Sequence, residues 1–295
     1  MPVRPRAALI YNPKAGRRRH ARAIDGILAT LGETYEVAAR PTRGAGDAIT
    51  LAREAASRGD AVAFAWGGDG TIREVVEGIH GSTTTLGVLP GGTFNVVALA
   101  IGLPRNPVSA ARLLAGGMPQ ARDVGLIAGT PFLMQATAGL DGFLMRQLRA
   151  DLKARFGKGA VVLDALRAFV KYRFEPFDVD VDGEADRVTG AAFVNMTEYA
   201  GAYHYVPGAR WDDGIAHVVL FKGRSHFQAL MFALGIALGR HHLRRDVVIR
   251  QARRMTVAAR EGLHLQADGD PWNGALPAAC ELSPQRIEVL IPAGK

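Results

Sequence analysis

Strand-like and helix-like segments alternate through the first 115 residues, and glycine-containing loops follow several of the strand-like ones. Apolar runs at Ala7–Tyr11, Thr34–Ala39, Ala61–Trp66 and Leu86–Leu89 predict strands. Helical patterns predict helices over Arg17–Leu31, Ala45–Ser57, Thr71–Ile79, Phe94–Ile101 and Val108–Leu114. Such alternation builds a parallel sheet with helices on both faces, and ligands bind outside the carboxyl ends of its strands. Asn12-Pro13-Lys14-Ala15-Gly16, Gly67-Gly68-Asp69-Gly70-Thr71 and Pro90-Gly91-Gly92-Thr93 all fall at those ends. Backbone N–H groups at a helix start favour anions, so the three loops predict a phosphate-binding cleft. The middle loop also reads as a tight turn in which Thr71 and Glu74 form a capping box, and Thr93 reads as the cap of the helix that follows it.

From about Arg122 the pattern changes to short β-rich runs: Asp123–Ile127, Pro131–Ala136, Phe177–Val181, Ala191–Met196, Ile215–Phe221, Val247–Gln251, Met255–Ala259, Leu263–Gln266 and Arg286–Ile291. Two helical inserts are expected, near Leu144–Tyr172 and Ser225–Leu238. The fold class expected is therefore an α/β N-terminal domain with a doubly wound parallel sheet, plus a mainly antiparallel β-sandwich C-terminal domain. The domains are placed at 1–122, with about 284–295 returning to it, and at 123–283.

Composition narrows the partners. The chain has 295 residues, 48% of them hydrophobic and 22% charged, and a net charge of +8 carried mostly by arginine. That charge suits anionic lipid, phosphorylated ligands or nucleic acid. With aromatics at 7%, no zinc-finger spacing and no continuous basic helix, nucleic acid is not expected. The lone cysteine, Cys280, excludes an internal disulfide. The most apolar window, Phe227–Leu238, is too short to span a bilayer, and no signal-peptide core follows Met1. Phe227–Leu234 is followed by Arg240-His241-His242-Leu243-Arg244-Arg245, a pairing that either lies on anionic lipid or packs in a core with its charged end solvated. The location expected is cytoplasmic and peripheral at the membrane, with transient contact with an anionic surface.

No Walker A loop, Gly-x-Gly-x-x-Gly, His-Glu-x-x-His or Gly-x-Ser-x-Gly elbow occurs. The set Asn12-Pro13-Lys14-Ala15-Gly16, Gly67-Gly68-Asp69-Gly70-Thr71 and Pro90-Gly91-Gly92-Thr93-Phe94-Asn95 resembles the motifs of the diacylglycerol kinase catalytic family, in its bacterial soluble lipid-kinase branch, related to sphingosine kinases. Asp123-Val124-Gly125, Pro207-Gly208-Ala209 with Asp212-Asp213-Gly214, and Gln266-Ala267-Asp268-Gly269-Asp270 continue the order, so the likeness covers nearly the full chain.

The resemblance implies an NAD kinase/diacylglycerol kinase-like fold and an ATP-dependent lipid kinase using Mg²⁺, with a lipid such as diacylglycerol as substrate; a homodimer is compatible with it. It implies nucleotide binding by Asn12, Pro13, Gly16, Thr42, Gly67, Gly68, Asp69, Gly70, Thr71, Gly92, Thr93 and Asn95. It implies that Asp69 and Asp123 serve Mg²⁺, directly or through water, and that Asp268 is the catalytic base toward a hydroxyl presented across an interdomain cleft. Thr42 reads equally as a cap of the following helix, and Asp268-Gly269 reads equally as a hairpin turn. Two departures stand out: Val96 replaces the family's usual Asp, and Asp270 the usual Glu. Alternatives are a catalytically silent lipid- or nucleotide-binding protein and a kinase of a soluble acceptor such as NAD.

Overall fold

The structure is a computed structural model that describes residues 3–13, 17–147, 164–199 and 203–293. It divides into two compact units, one formed by Met1–Val124, Glu198–Ala202 and Ser283–Lys295, the other by Gly125–Thr197 and Tyr203–Leu282.

The first unit contains β1 (Arg6–Tyr11), α1 (Arg17–Gly32), β2 (Glu36–Pro41), α2 (Asp47–Ser57), β3 (Val62–Gly67), α3 (Asp69–Ile79), β4 (Thr85–Pro90), α4 (Val96–Ala100), α5 (Pro107–Ala115) and β5 (Met118–Arg122). The chain returns to it with β12 (Glu198–Tyr199) and β20 (Ile287–Ile291). Its sheet runs β2-β1-β3-β4-β20-β5, parallel except for β5. The crossovers β1–α1–β2 and β2–α2–β3 run in opposite directions along the sheet. Because such crossovers are right-handed, α1 and α2 cover opposite faces. Accordingly α1 packs on α5, and α2 packs on α3. The central strands β3 and β4, covered on both sides, are buried along their whole length, as continuous apolar runs in parallel sheets are.

One sequence expectation changes here, and one strand carries no signal in the sequence. The predicted helix over Phe94–Ile101 contracts to Val96–Ala100, because Asn95 adopts a left-handed conformation (φ 54°) that a helix cannot carry. Strand β5 (MPQAR) has no apolar alternation in sequence; β20 beside it supplies the pairing.

The second unit comprises β6 (Gly125–Ile127), β7 (Thr130–Phe132), β8 (Gln135–Gly139), α6 (Leu140–Gln147), β9 (Phe177–Val181), β10 (Glu184–Val188), β11 (Gly190–Val194), β13 (Tyr203–His204), β14 (Ala216–Phe221), α7 (His226–Ala237), β15 (Val247–Ala252), β16 (Arg254–Val257), β17 (Leu265–Ala267), β18 (Asp270–Trp272) and β19 (Ala278–Leu282). Two six-stranded antiparallel sheets form, β10-β9-β16-β19-β6-β7 and β15-β14-β11-β8-β17-β18. Their inner faces share one core, in which Phe132 and Phe193 meet edge to face at 6.4 Å. Strand β9 shows the corresponding pattern, with Phe177, Val179 and Val181 buried and Asp178 and Asp180 exposed. The run predicted as one strand over Pro131–Ala136 is in fact the end of β7 and the start of β8, which lie in different sheets.

Candidate active site

Strand register brings the sequence-predicted loops of the first unit to one edge. Tyr11 stands opposite Pro41 and Trp66, and Gly67 opposite Pro90, so the chain leaves β1, β2, β3 and β4 on the same side of the sheet. Asn12, Pro13, Thr42, Gly67 to Thr71 and Gly91 to Asn95 therefore share that edge, which includes the β1/β3 switch point of the doubly wound sheet. Gly16 lies outside the described residues. Thr42 is buried, and its N–H donates to the Tyr11 carbonyl at 2.8 Å. It caps no helix: the residue before α2 is Gly46, in a left-handed conformation (φ 81°).

The two glycine loops lie backbone to backbone. Gly91 N–H donates to the Gly67 carbonyl at 2.8 Å, and a Cβ on Gly92 would sit 2.5 Å from the Gly68 Cα. A Cβ on Gly67 would stand 2.5 Å from Thr71 Oγ1. None of these glycines has a positive φ, so steric room rather than a special backbone conformation demands them. Asn95 locks the second loop: its Oδ1 accepts from Gly92 N–H at 2.7 Å and its Nδ2 donates to the Gly92 carbonyl at 3.1 Å.

The expected capping box does not form. Gly68 precedes α3 without a side-chain cap, and Glu74 instead reaches the start of α2, accepting from Gly46 N–H at 2.9 Å and Ala48 N–H at 3.3 Å. A carboxylate there satisfies orphan donors and complements the helix dipole. Thr93 does not cap α4 either. The backbone amides of Val97, Val96 and Asn95, at the start of that helix, favour the charged form of the Asp69 carboxylate. Its acidity thus has a structural reason that the turn alone did not suggest.

Among the described residues one oxygen of Asp69, Oδ1, is buried without a hydrogen-bond partner. Burial pushes the carboxyl up from its ordinary value, and the backbone N–H groups offset this only in part. One orphaned carboxylate oxygen among backbone amides fits a Mg²⁺ ion that keeps most of its waters and takes its other ligands from phosphate. It does not fit a cage of protein ligands: among the described residues no three His, Cys, Asp or Glu side chains are grouped to hold a metal.

Asp123 is not part of this edge. β5 runs antiparallel to β20, so Asp123 follows the end of β5 that faces the start of β20, whose own direction is that of β4. Val124 accepts from Ser283 N–H at 2.7 Å, and Ser283 Oγ bonds His80 at 2.9 Å, just past the end of α3. The eleven residues of α3 separate that point from Asp69 by about 16 Å. A single cation cannot bridge Asp69 and Asp123. The buried Asp123 accepts instead from Arg286 Nε at 2.7 Å.

In the second unit, Asp268 and Gly269 are the two central residues of the hairpin joining β17 to β18, with φ 53° and 86°. Both positive values are what a two-residue turn of the twisted hairpin type requires. Asp182-Gly183 turns β9 into β10 in the same way (φ 54° and 90°). The carboxylates differ in surroundings. Asp182 is exposed and accepts from the N–H groups of Arg253 and Arg254. Asp268 is buried; its Oδ1 accepts from Met134 N–H at 2.7 Å and Gln135 N–H at 3.1 Å, and its Oδ2 from Leu133 N–H at 2.7 Å. The turn and the functional readings of this residue are therefore not exclusive: the hairpin aims the carboxylate, and three charge-assisted bonds fix it.

A network that sequence reasoning missed supports the turn. Gln266 Oε1 accepts from Gly269 N–H at 2.7 Å, and Gln266 Nε2 donates to Thr137 Oγ1 at 2.8 Å and Asp141 Oδ2 at 2.9 Å. Thr137 Oγ1 also donates to Asp141 Oδ2 at 3.0 Å. Burial raises the Asp141 carboxyl, and its two hydrogen bonds oppose the rise. Asp141-Gly142 looks like a turn in sequence but opens α6; only the pairing of β17 with β8 reveals its partners. Asp213 is an exposed turn residue accepting from Ile215 N–H at 2.9 Å, and Asp212 pairs with Arg210 at 3.0 Å.

Comparison with known proteins agrees with this arrangement. Residues 6–127 match the diacylglycerol kinase catalytic domain, and residues 135–291 match the YegS C-terminal NAD kinase beta sandwich-like domain. A diacylglycerol kinase of Bacillus subtilis is 30% identical over 98% of this chain and 97% of its own length. A Pseudomonas aeruginosa protein named "Probable lipid kinase YegS-like" is 31% identical over 97% of this chain and 94% of its own. The crystal structure of a diacylglycerol kinase from Bacillus anthracis superposes with a TM-score of 0.79 at 24% identity, covering 98% of each chain, which speaks for the fold. With the glycine loops, the parallel sheet and the sandwich all in place, the chain belongs to the diacylglycerol kinase catalytic family, in its bacterial YegS-like lipid kinase branch.

Proposed function

We propose that this protein transfers the γ-phosphoryl group of ATP to a hydroxyl of a membrane lipid of the diacylglycerol type, with Mg²⁺. The observation that carries the reading is the edge of the first sheet. Two glycine loops in backbone contact lie there beside a buried carboxylate oxygen that has no hydrogen-bond partner among the described residues. Amides at helix starts favour phosphate, and a lone carboxylate next to phosphate is repulsive unless a cation lies between them. Asn12, Gly67, Gly68, Gly70, Gly92, Thr93 and Asn95 would hold the triphosphate, and Asp69 would hold the cation through its Oδ1. The cation, when bound, offsets the charge that develops on the phosphate oxygens.

Asp268 is the proposed base. The acceptor oxygen attacks the γ-phosphorus, the bond to the bridging oxygen of ADP breaks, and the hydroxyl proton passes to the carboxylate. The three amide bonds on Asp268 support a role in orienting the hydroxyl. Lipid as the acceptor is supported by the names of the relatives, and transient contact with an anionic membrane belongs to the same reading.

The test is labelling of a mixed lipid extract with γ-labelled ATP by the wild type, Asp69→Ala and Asp268→Ala, with mass identification of the product. Label in lipid for the wild type alone supports the proposal. Equal background in all three points to a binding protein, a reading that the absence of a carboxylate at Val96 motivates. Label in NAD⁺ but not in lipid would reassign the acceptor.

A further inference from the structure

Helix α7 has an outward face as apolar as its inward one. Inward, Ala229 and Ile236 are buried, and Phe232 stacks on Phe221 at 4.9 Å. Outward stand Phe227, Leu230, Leu234 and Leu238, at spacings of three, four and four residues and between 48% and 70% exposed. That spacing sets them in one stripe. Gln228, the one polar side chain between Phe227 and Leu238, turns back to the N-terminus, where its Oε1 accepts from Arg224 N–H at 2.8 Å. A surface helix ordinarily carries charge on such a face. The patch continues onto the neighbouring helical segment 164–171, where Phe169 meets His226 edge to face at 5.1 Å and Leu166 and Val170 are exposed.

Basic residues outnumber acidic ones along this stretch, and some of them are left over after ion pairing among the described residues. Between Lys222 and Arg250 there are six Lys or Arg residues and one acidic residue, Asp246. Lys222, Arg244 and Arg250 are ion-paired. Arg224, Arg240 and Arg245 are exposed and have no ion pair among the described residues, and Leu243 beside them is 71% exposed. Two copies of this face would set the same arginines against one another, which disfavours a symmetric dimer through it. A bilayer interface accommodates both features: acyl chains receive the apolar stripe, and anionic headgroups pair with the arginines.

We infer that the α7 stripe, with Leu166, Val170 and Leu243, is the surface by which this protein docks in the plane of an anionic phospholipid bilayer. The inference rests on the proposed function only in that a lipid acceptor gives docking a purpose. The test uses the full chain without ATP, sedimented with vesicles of phosphatidylcholine alone or mixed equally with phosphatidylglycerol. The wild type should partition into the mixed vesicles and far more weakly into the neutral ones. Leu230→Glu/Leu234→Glu should lose about tenfold or more of that partition, with an unchanged melting temperature because neither side chain is buried. Arg240→Glu/Arg245→Glu should lose the preference for anionic vesicles. Absence of wild-type binding, variants that bind as the wild type does, or equal partition into both vesicles would each overturn the inference. So would a wild-type dimer, seen by sedimentation velocity, that the leucine variant dissolves. Vesicle binding without lipid phosphorylation would remove the kinase reading and leave the docking face standing; phosphorylation with no vesicle binding would do the reverse.

Discussion

Replacing Asp268 by Asn separates what its carboxylate does for the fold from what it does for the reaction. The wild-type side chain accepts three backbone N–H bonds, two on Oδ1 and one on Oδ2. An asparagine can turn its oxygen to Met134 and Gln135, keeping two bonds as neutral ones at a loss of about 1 kcal/mol. Its NH₂ then faces the Leu133 N–H, donor against donor, and one buried donor left unsatisfied costs about 1–3 kcal/mol. The second unit should therefore lose roughly 2–4 kcal/mol, a drop of about 1–2 M in urea midpoint at an ordinary slope. The assay is urea unfolding followed by far-UV circular dichroism. Asp182→Asn, in the same turn type but open to water, serves as the control and should cost under about 1 kcal/mol. If Asp268→Asn unfolds at the wild-type midpoint, the amide-anchoring argument is wrong, whatever happens to phosphoryl transfer. Activity is then compared at a temperature where both proteins are folded, and a further fall of about a hundredfold is expected for loss of the base.

Asp69→Asn should gain stability at neutral pH while losing roughly a hundredfold or more in lipid phosphorylation. The sign follows from linkage. Burial raises the folded-state carboxyl, so the folded protein holds a proton more firmly than the unfolded chain does, and stability falls as pH rises from the ordinary carboxylate value through the raised one. The asparagine removes that loss, and thermal melts at acid and neutral pH would show a flatter profile. Gly92→Ala places a Cβ 2.5 Å from the Gly68 Cα; a cost of about 1–3 kcal/mol and a KM for ATP raised about tenfold are expected, against little change in the lipid KM. Val96→Asp sets a second carboxylate beside Asp69, whose charged form the Val96 N–H favours. It should lower the melting temperature in a chelator and recover it with millimolar Mg²⁺, and equal melts in both conditions would contradict a cation at Asp69.

The order of elements was legible because parallel strands covered on both faces must be continuous apolar runs, and helices between them must repeat at their own period. The glycine loops could be read for the same reason: they mark where those runs stop. Partnerships across the sheet were not legible. Glu74 looked like half of a capping box and belongs to α2; Thr93 looked like a cap, yet the amides at the start of α4 favour the Asp69 carboxylate; Asp123 looked like a metal ligand and pairs with Arg286. Local spacing says what a side chain can reach along its own element. Which backbone N–H or guanidinium arrives from another element, 26 residues away for Glu74 and 163 for Asp123, depends on strand order and register, and those are set only when the layers pack. Asp268 shows the division most clearly. Its left-handed turn is written in the dipeptide Asp268-Gly269, whereas the three amides that hold its carboxylate come from 133 to 135 residues earlier in the chain, brought there by the pairing of β17 with β8.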